Sequence, residues 1–177
     1  KYILNIGVLF DKKNQKSLVE MLPYVAEDLV FIASGEKQIY ADEVRKKIKD
    51  LNLEKRIHFL SGVSEEEKYA IIQNCEAMCH PSLAEGFGIP PIEAMAFGKP
   101  VFISKFTSLP EIGGDVAFYF ENFDPKNMAE FFKEKMILFN ENRSESEVKI
   151  KNWTQQFDYK VMSNNYLKFY EKILKEN

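Results

Sequence analysis

Short apolar runs and longer amphipathic stretches alternate from one end of this chain to the other. Tyr2 to Leu9 reads as a strand that ends near Gly7, and Gln15 to Val25 as a helix. Leu29 to Ala33 is an apolar strand closed by Ser34-Gly35, followed by a charged helix over about Ile39 to Leu51. Arg56 to Leu60 predicts a short strand. Ser64 with Glu67 forms a capping box that opens a helix to about Asn74. Ala77 to His80 and Val101 to Ile103 read as strands on either side of a glycine- and proline-rich loop and its helix, which Gly98 and Pro100 stop. Ser108 to Glu111 reads as a second capping box, and Val116 to Phe120 as the last strand. Asp124-Pro125 opens a helix to about Phe139, with Asp124 as N-cap. A final helix spans about Phe157 to Leu174, with Phe157, Val161, Tyr166, Phe169, Tyr170 and Ile173 on roughly one face, which reads as core.

Strands this short and apolar, each followed by a helix, predict an α/β fold: a Rossmann-like parallel sheet with helices on both faces. In such sheets ligands bind beyond the carboxyl ends of the strands, where the strand order reverses. At 177 residues the chain is long enough for one domain with a substantial core. The net charge of -3 argues against nucleic acid as the main partner. No apolar run approaches the roughly 18 residues of a membrane span. Cys75 and Cys79 are too few for a disulfide framework, which fits a cytosolic setting. They could hold a metal only with His80 and a fourth ligand that is missing, with His58 far off in sequence, so they read as buried thiols. The run from Glu43 to Asp50 reads as a solvated helix face. The first residues, Lys1-Tyr2-Ile3-Leu4, already lie inside a strand pattern, as expected of a domain cut from a longer protein.

The chemistry concentrates between His80 and Pro100, HPSLAEGFGIPPIEAMAFGKP. Glu85 and Glu93 stand with seven residues between them, and the stretch they bracket is a glycine-rich turn and a Pro-Pro step that opens a helix. Glycines let backbone approach a ligand closely. A helix start presents unpaired N–H groups and favours an anion. Amides that could face a phosphate, with a carboxylate on each side, suit a phosphorylated sugar. Pro90 and Pro91 cannot donate, so the donors must come from Phe87, Gly88 and Ile89 and from Ile92 onward. The alternative roles are local: Glu85 as a solvated loop acid, Glu93 as an acid in the first helical turn, Phe87 and Ile89 as core anchors, and Lys12 and Lys13 as a solvated turn.

The words Pro81-Ser82, Glu85-Gly86-Phe87-Gly88-Ile89-Pro90, Ile92-Glu93-Ala94-Met95-Ala96, Gly98-Lys99-Pro100-Val101 and Leu109-Pro110-Glu111-Ile112 resemble the donor-binding signature of family 4 glycosyltransferases, retaining enzymes of the GT-B fold. The resemblance implies that residues 1–177 are the C-terminal, nucleotide-sugar-binding half of a two-domain hexosyltransferase. It implies that Glu93 accepts hydrogen bonds from the ribose hydroxyls. Glu85 would face the donor sugar near the reacting carbon and stabilise a developing oxocarbenium-like cation, with front-face departure of the phosphate. Phe87, Gly88 and Ile89 would act through backbone amides. Gly7 and Lys13 would match the family's glycine and the lysine that holds the leaving diphosphate. Val8 stands where the family has a second cation, an arginine, and Lys12 is placed to compensate. Gly35 matches a family glycine, Arg56 to Leu60 corresponds to the segment that meets the base, and the C-terminal helices cross toward the partner domain. Glu111 reads first as a helix-opening acid and second as a donor contact.

No cofactor or metal is implied, because cations and amides neutralise the diphosphate. The acceptor, a glycan or lipid-linked sugar of cell-surface polysaccharide synthesis, would be held by the missing N-terminal domain. The full-length protein would be cytoplasmic, with peripheral contact at the inner face of the membrane compatible with that. The isolated chain is expected to bind nucleotide weakly and to turn nothing over. Two other readings remain open: a non-catalytic nucleotide-sugar binding module or inactive partner subunit, which Val8 favours, and a sugar-nucleotide epimerase, which fits the signature less well.

Overall fold

Six apolar runs become six strands of one parallel sheet. The structure, a computed structural model, describes residues 1–176. The strands are β1 (Tyr2–Ile6), β2 (Asp28–Ile32), β3 (Ile57–Leu60), β4 (Ala77–His80), β5 (Val101–Ile103) and β6 (Phe118–Tyr119). Their order is β3-β2-β1-β4-β5-β6. The helices are α1 (Gln15–Met21), α2 (Gln38–Asp50), α3 (Glu65–Asn74), α4 (Ile89–Ala96), α5 (Leu109–Gly113), α6 (Pro125–Glu141), α7 (Arg143–Thr154) and α8 (Tyr159–Glu176).

Strand side chains alternate between two cores, as a sheet buried on both faces requires. Ile3, Leu29, Phe31, Ala77 and Phe102 point to one face, where Leu18, Val44, Met128 and Phe132 of α1, α2 and α6 cover them. Leu4, Val30, Ile32, Met78 and Ile103 point to the other, against Ile72, Ala94, Leu109, Ile112 and Ile150 of α3, α4, α5 and α7. Phe102 centres an aromatic cluster, with its ring 4.8 Å from Phe132 and 5.0 Å from Phe118. Ser64 accepts from the Glu67 amide while Glu67 reaches back to the Ser64 amide, which is the predicted capping box. Asp124 accepts from the amides of Lys126 and Asn127 as predicted. Cys75 and Cys79 are buried free thiols. Burial pushes the Cys75 thiol up to about 12. The charged face of α2 is solvated, with only Ala41, Val44 and Ile48 buried.

Several expectations change. The first strand stops at Ile6 rather than Leu9, and Leu9 makes a single parallel bridge with Glu36. The last strand is only Phe118–Tyr119. Ser108 makes no cap bond to α5; its backbone is already helical, so its hydroxyl faces elsewhere. α7 has no counterpart in the sequence pattern, because a sequence as polar as RSESEVKIKNWT has no apolar stripe: it buries Ile150 and anchors through the Trp153 indole, which donates to the Ile112 carbonyl at 2.7 Å. The aromatic face of α8 is not core. Tyr166, Phe169 and Tyr170 are each more than half exposed, and Phe157 lies in the turn before the helix. Periodicity reports that a face is apolar; it does not say what covers it.

Gly114 allows α7 to seat. Its φ is +47, and a Cβ there would collide with the Trp153 ring. Gly114→Ala should therefore lower unfolding free energy by about 1–3 kcal/mol, read from urea unfolding. Asp124→Ala should cost about 0.5–2 kcal/mol through the lost cap, while Ser108→Ala should show no cap-sized loss from α5.

Candidate functional site

β1 and β4 lie side by side at the point where the strand order reverses. Their register pairs Ile3 with Ala77 and Leu4 with Met78. One step further the ladder gives way to a side chain: Asn5 Nδ2 donates to the Cys79 carbonyl at 2.8 Å. Beyond that step the two strands feed different loops, and the crevice between the loops is where this fold binds ligands. β1 leads into Gly7, where a Cβ would meet nothing within 4 Å, and then into a single turn at Asp11–Lys13. β4 ends at His80 and leads into the loop carrying Glu85.

Glu85 joins the two sides. Its Oε1 accepts from Lys13 Nζ at 2.5 Å and sits 2.5 Å from His80 Nε2. The carboxylate is 9% exposed and the imidazole 2%. Burial pushes the Glu85 carboxyl upward, but the hydrogen bonds from His80 and Lys13 outweigh it and hold the group at about 2. The group is therefore ionised at neutral pH. The loop is clamped from behind by the segment after β5. Thr107 Oγ1 accepts from the Glu85 amide at 2.9 Å, and Ser108 Oγ donates to the Phe87 carbonyl at 3.0 Å. This is the work of the hydroxyl that the sequence suggested as a cap. Ser104 Oγ donates to the Ser82 carbonyl. Thr107 has φ +51, unusual for a β-branched residue, and the clamp is what holds it there.

Gly88, at φ +104, turns the chain into α4, whose first turn contains Pro90. Among the described residues no acceptor is found for the amides of Phe87 and Gly88. Phe87 and Ile89 are 43% and 59% exposed, so neither is a core anchor; the Phe87 ring meets Phe157 edge-on at 6.2 Å. Glu93 is the fifth residue of α4, in the second turn rather than the first. Its Oε1 accepts from Lys68 Nζ of α3 at 2.8 Å. The two glutamates thus have separate cations.

A cleft of about 390 Å³ opens beside Glu85, lined by Val8, Phe10, Lys12, Lys13, Lys37, Ala84, Glu85 and Gly86. Lys12, Lys13 and Glu85 meet here; Glu93, Phe87 and Ile89 are not among its lining residues. Arg56 is a staple, donating to the carbonyls of Leu22, Val25 and Glu27. Among the described residues no group of three or more His, Cys, Asp or Glu side chains is placed to hold a metal ion, and no helix is long and apolar enough to cross a membrane. Sequence reasoning missed His80, Thr107, Lys37 and Lys68 as neighbours of the site. His80 carried a signal in its place at the end of β4, and Lys37 a weaker one in the loop that joins β2 to α2. Thr107 and Lys68 carried none, since they arrive from other elements.

The family described as glycosyl transferases group 1 matches residues 1–156. The O-antigen chain mannosyltransferase RfbU of Salmonella typhimurium is 32% identical over 126 residues, 71% of this chain and 36% of that protein. A glycosyltransferase from Rickettsia africae superposes on 99% of this chain and 48% of its own, with TM-score 0.82 and 18% identity. Anabaena HepE, solved in complex with UDP and glucose, covers 99% of this chain and 48% of its own, with TM-score 0.75 and 21% identity. The chain spans about a third of RfbU and about half of each of these two structures. Its sheet is the Rossmann-like half of a GT-B fold. By sequence over most of its length, and by architecture, this chain belongs to the glycosyl transferases group 1 family.

Proposed function

We propose that this chain is the donor-binding half of a retaining glycosyltransferase, which takes a hexosyl nucleoside diphosphate and passes the sugar to a glycan or lipid-linked acceptor held by an N-terminal domain. The observation that carries this reading is Glu85, ionised and buried between Lys13 and His80 at the switch point, beside a lysine-lined cleft. The Lys13 and His80 contacts both fall on Oε1, and Oε2 would accept from a sugar hydroxyl. At neutral pH the group is a fixed negative charge and not a proton donor, which suits stabilisation of an oxocarbenium-like cation. The diphosphate would lie against the amides at the start of α4, with lysines neutralising its charge in place of a metal. Departure of the phosphate on the face the acceptor enters would give retention. Glu93, held by Lys68, would accept from the ribose. Free, buried cysteines are compatible with a reducing, cytoplasmic setting. The mannosyltransferase relative and the UDP complex of a structural neighbour support a hexosyl nucleotide as donor. A binding module without turnover is the second reading, favoured by Val8 in the place of the family's arginine.

In the full-length protein, Glu85→Gln should lower kcat by on the order of 10²-fold, with donor KM changed only a few-fold. A pure binding module would show no turnover to lose, and an enzyme unaffected by the change would remove Glu85 from the chemistry. The same variant tests the charge of the site in this chain. A carboxylate held below its unfolded value adds stability above that value and loses it as pH falls through the folded one. For Glu85 the window runs from about 4.5 down to about 2. The stability advantage of wild type over Glu85→Gln should be constant above this window and shrink across it, measured by urea unfolding at stepped pH. An advantage that stays level from pH 6 to pH 3 would contradict the assignment.

A further inference from the structure

Val8 and Lys37 are linked through the backbone. The loop after β2 folds onto the end of the first strand: the Leu9 amide donates to the Gly35 carbonyl at 2.9 Å, and the Lys37 amide donates to the Leu9 carbonyl at 2.8 Å. Val8 faces this loop, and a Cβ built on Gly35 would lie 3.9 Å from its Cγ1. The segment that packs beside Val8 thus delivers Lys37 into the cleft that Val8, Lys12 and Lys13 line. Lys13 is committed to Glu85. Lys12 and Lys37 form no ion pair with a carboxylate among the described residues; their ammonium groups stand over the Phe10 ring, with Nζ to centroid distances of 5.2 and 6.0 Å. The acid next to Lys37 does not neutralise it, because Glu36 is paired with Arg45 at 2.5 Å. Two ammonium groups without carboxylate partners on one aromatic ring, at the mouth of a cleft, are arranged for a polyanion.

We propose that Lys37 supplies the second cation for the leaving diphosphate, replacing from the neighbouring loop the charge that Val8 lacks. This rests on the donor-binding reading above and adds to it a residue and a phosphate: Lys37 acts on the terminal phosphate of a nucleoside diphosphate. An arginine at position 8 and a lysine at position 37 are then interchangeable sources of one charge, reached from β1 or from the loop after β2.

Calorimetric titration of this chain with UDP and GDP, their monophosphates and inorganic pyrophosphate tests it. Lys37 is exposed, so Lys37→Ala should fold as wild type does, checked by circular dichroism. The variant should bind the diphosphate about tenfold or more weakly, bind the monophosphate within about threefold of wild type, and regain diphosphate affinity when Val8→Arg is added. Wild-type affinity for the diphosphate in Lys37→Ala, an equal loss for mono- and diphosphate, or no recovery with Val8→Arg would overturn the proposal while leaving the donor-binding reading in place. Wild type that binds neither diphosphate nor pyrophosphate would overturn both.

Discussion

Two parallel strands that run together and then part decide where this molecule can work. β1 and β4 are bonded over Ile3 and Leu4, then separate at Asn5, whose side chain satisfies the Cys79 carbonyl where the ladder stops. A parallel sheet must send every connection over one face or the other. Here β1 continues toward β2 and β4 toward β5, so the loops leaving the two strands diverge. In the crevice between them, loops from both halves of the sheet face a common space. Gly7, Lys13, His80 and Glu85 are all products of that divergence.

Charge in the crevice is balanced and not merely abundant. A carboxylate as enclosed as Glu85 is costly to ionise unless partners repay the lost hydration. Lys13 from one loop and His80 from the strand end provide them, and in doing so they tie the β1 side of the crevice to the β4 side. The loop backbone is fixed independently, by hydroxyls of Thr107 and Ser108 that take up its amide and carbonyl groups. Position and protonation state are thus set by different parts of the chain. The same logic explains Glu93, whose charge is met by Lys68 from α3 rather than by the start of its own helix.

The apolar face of α8 has a different status. Tyr166, Phe169 and Tyr170 are arranged as a core stripe, yet in this chain they stand in solvent. A helix of that kind is stable only in part through its own packing. This chain also spans only about a third of the length of RfbU.

Much of this was readable in the chain. Alternating apolar runs determined a parallel α/β sheet, because strands buried on both faces have no polar positions to offer. The Ser64–Glu67 box, the Asp124 cap and the Gly-rich turn before α4 were legible because each depends on residues a few positions apart. What the sequence could not settle depends on contacts between distant segments. The Ser108 hydroxyl holds the Glu85 loop instead of a helix end, Trp153 pins a polar helix that has no periodic signal, and His80 and Lys37 reach the site from the end of β4 and the loop after β2, which are far apart in sequence. Local patterns determine elements because short-range geometry is written in neighbouring residues. The partners of a buried charge are chosen by which loops the sheet brings to the same edge, and only the tertiary structure decides that.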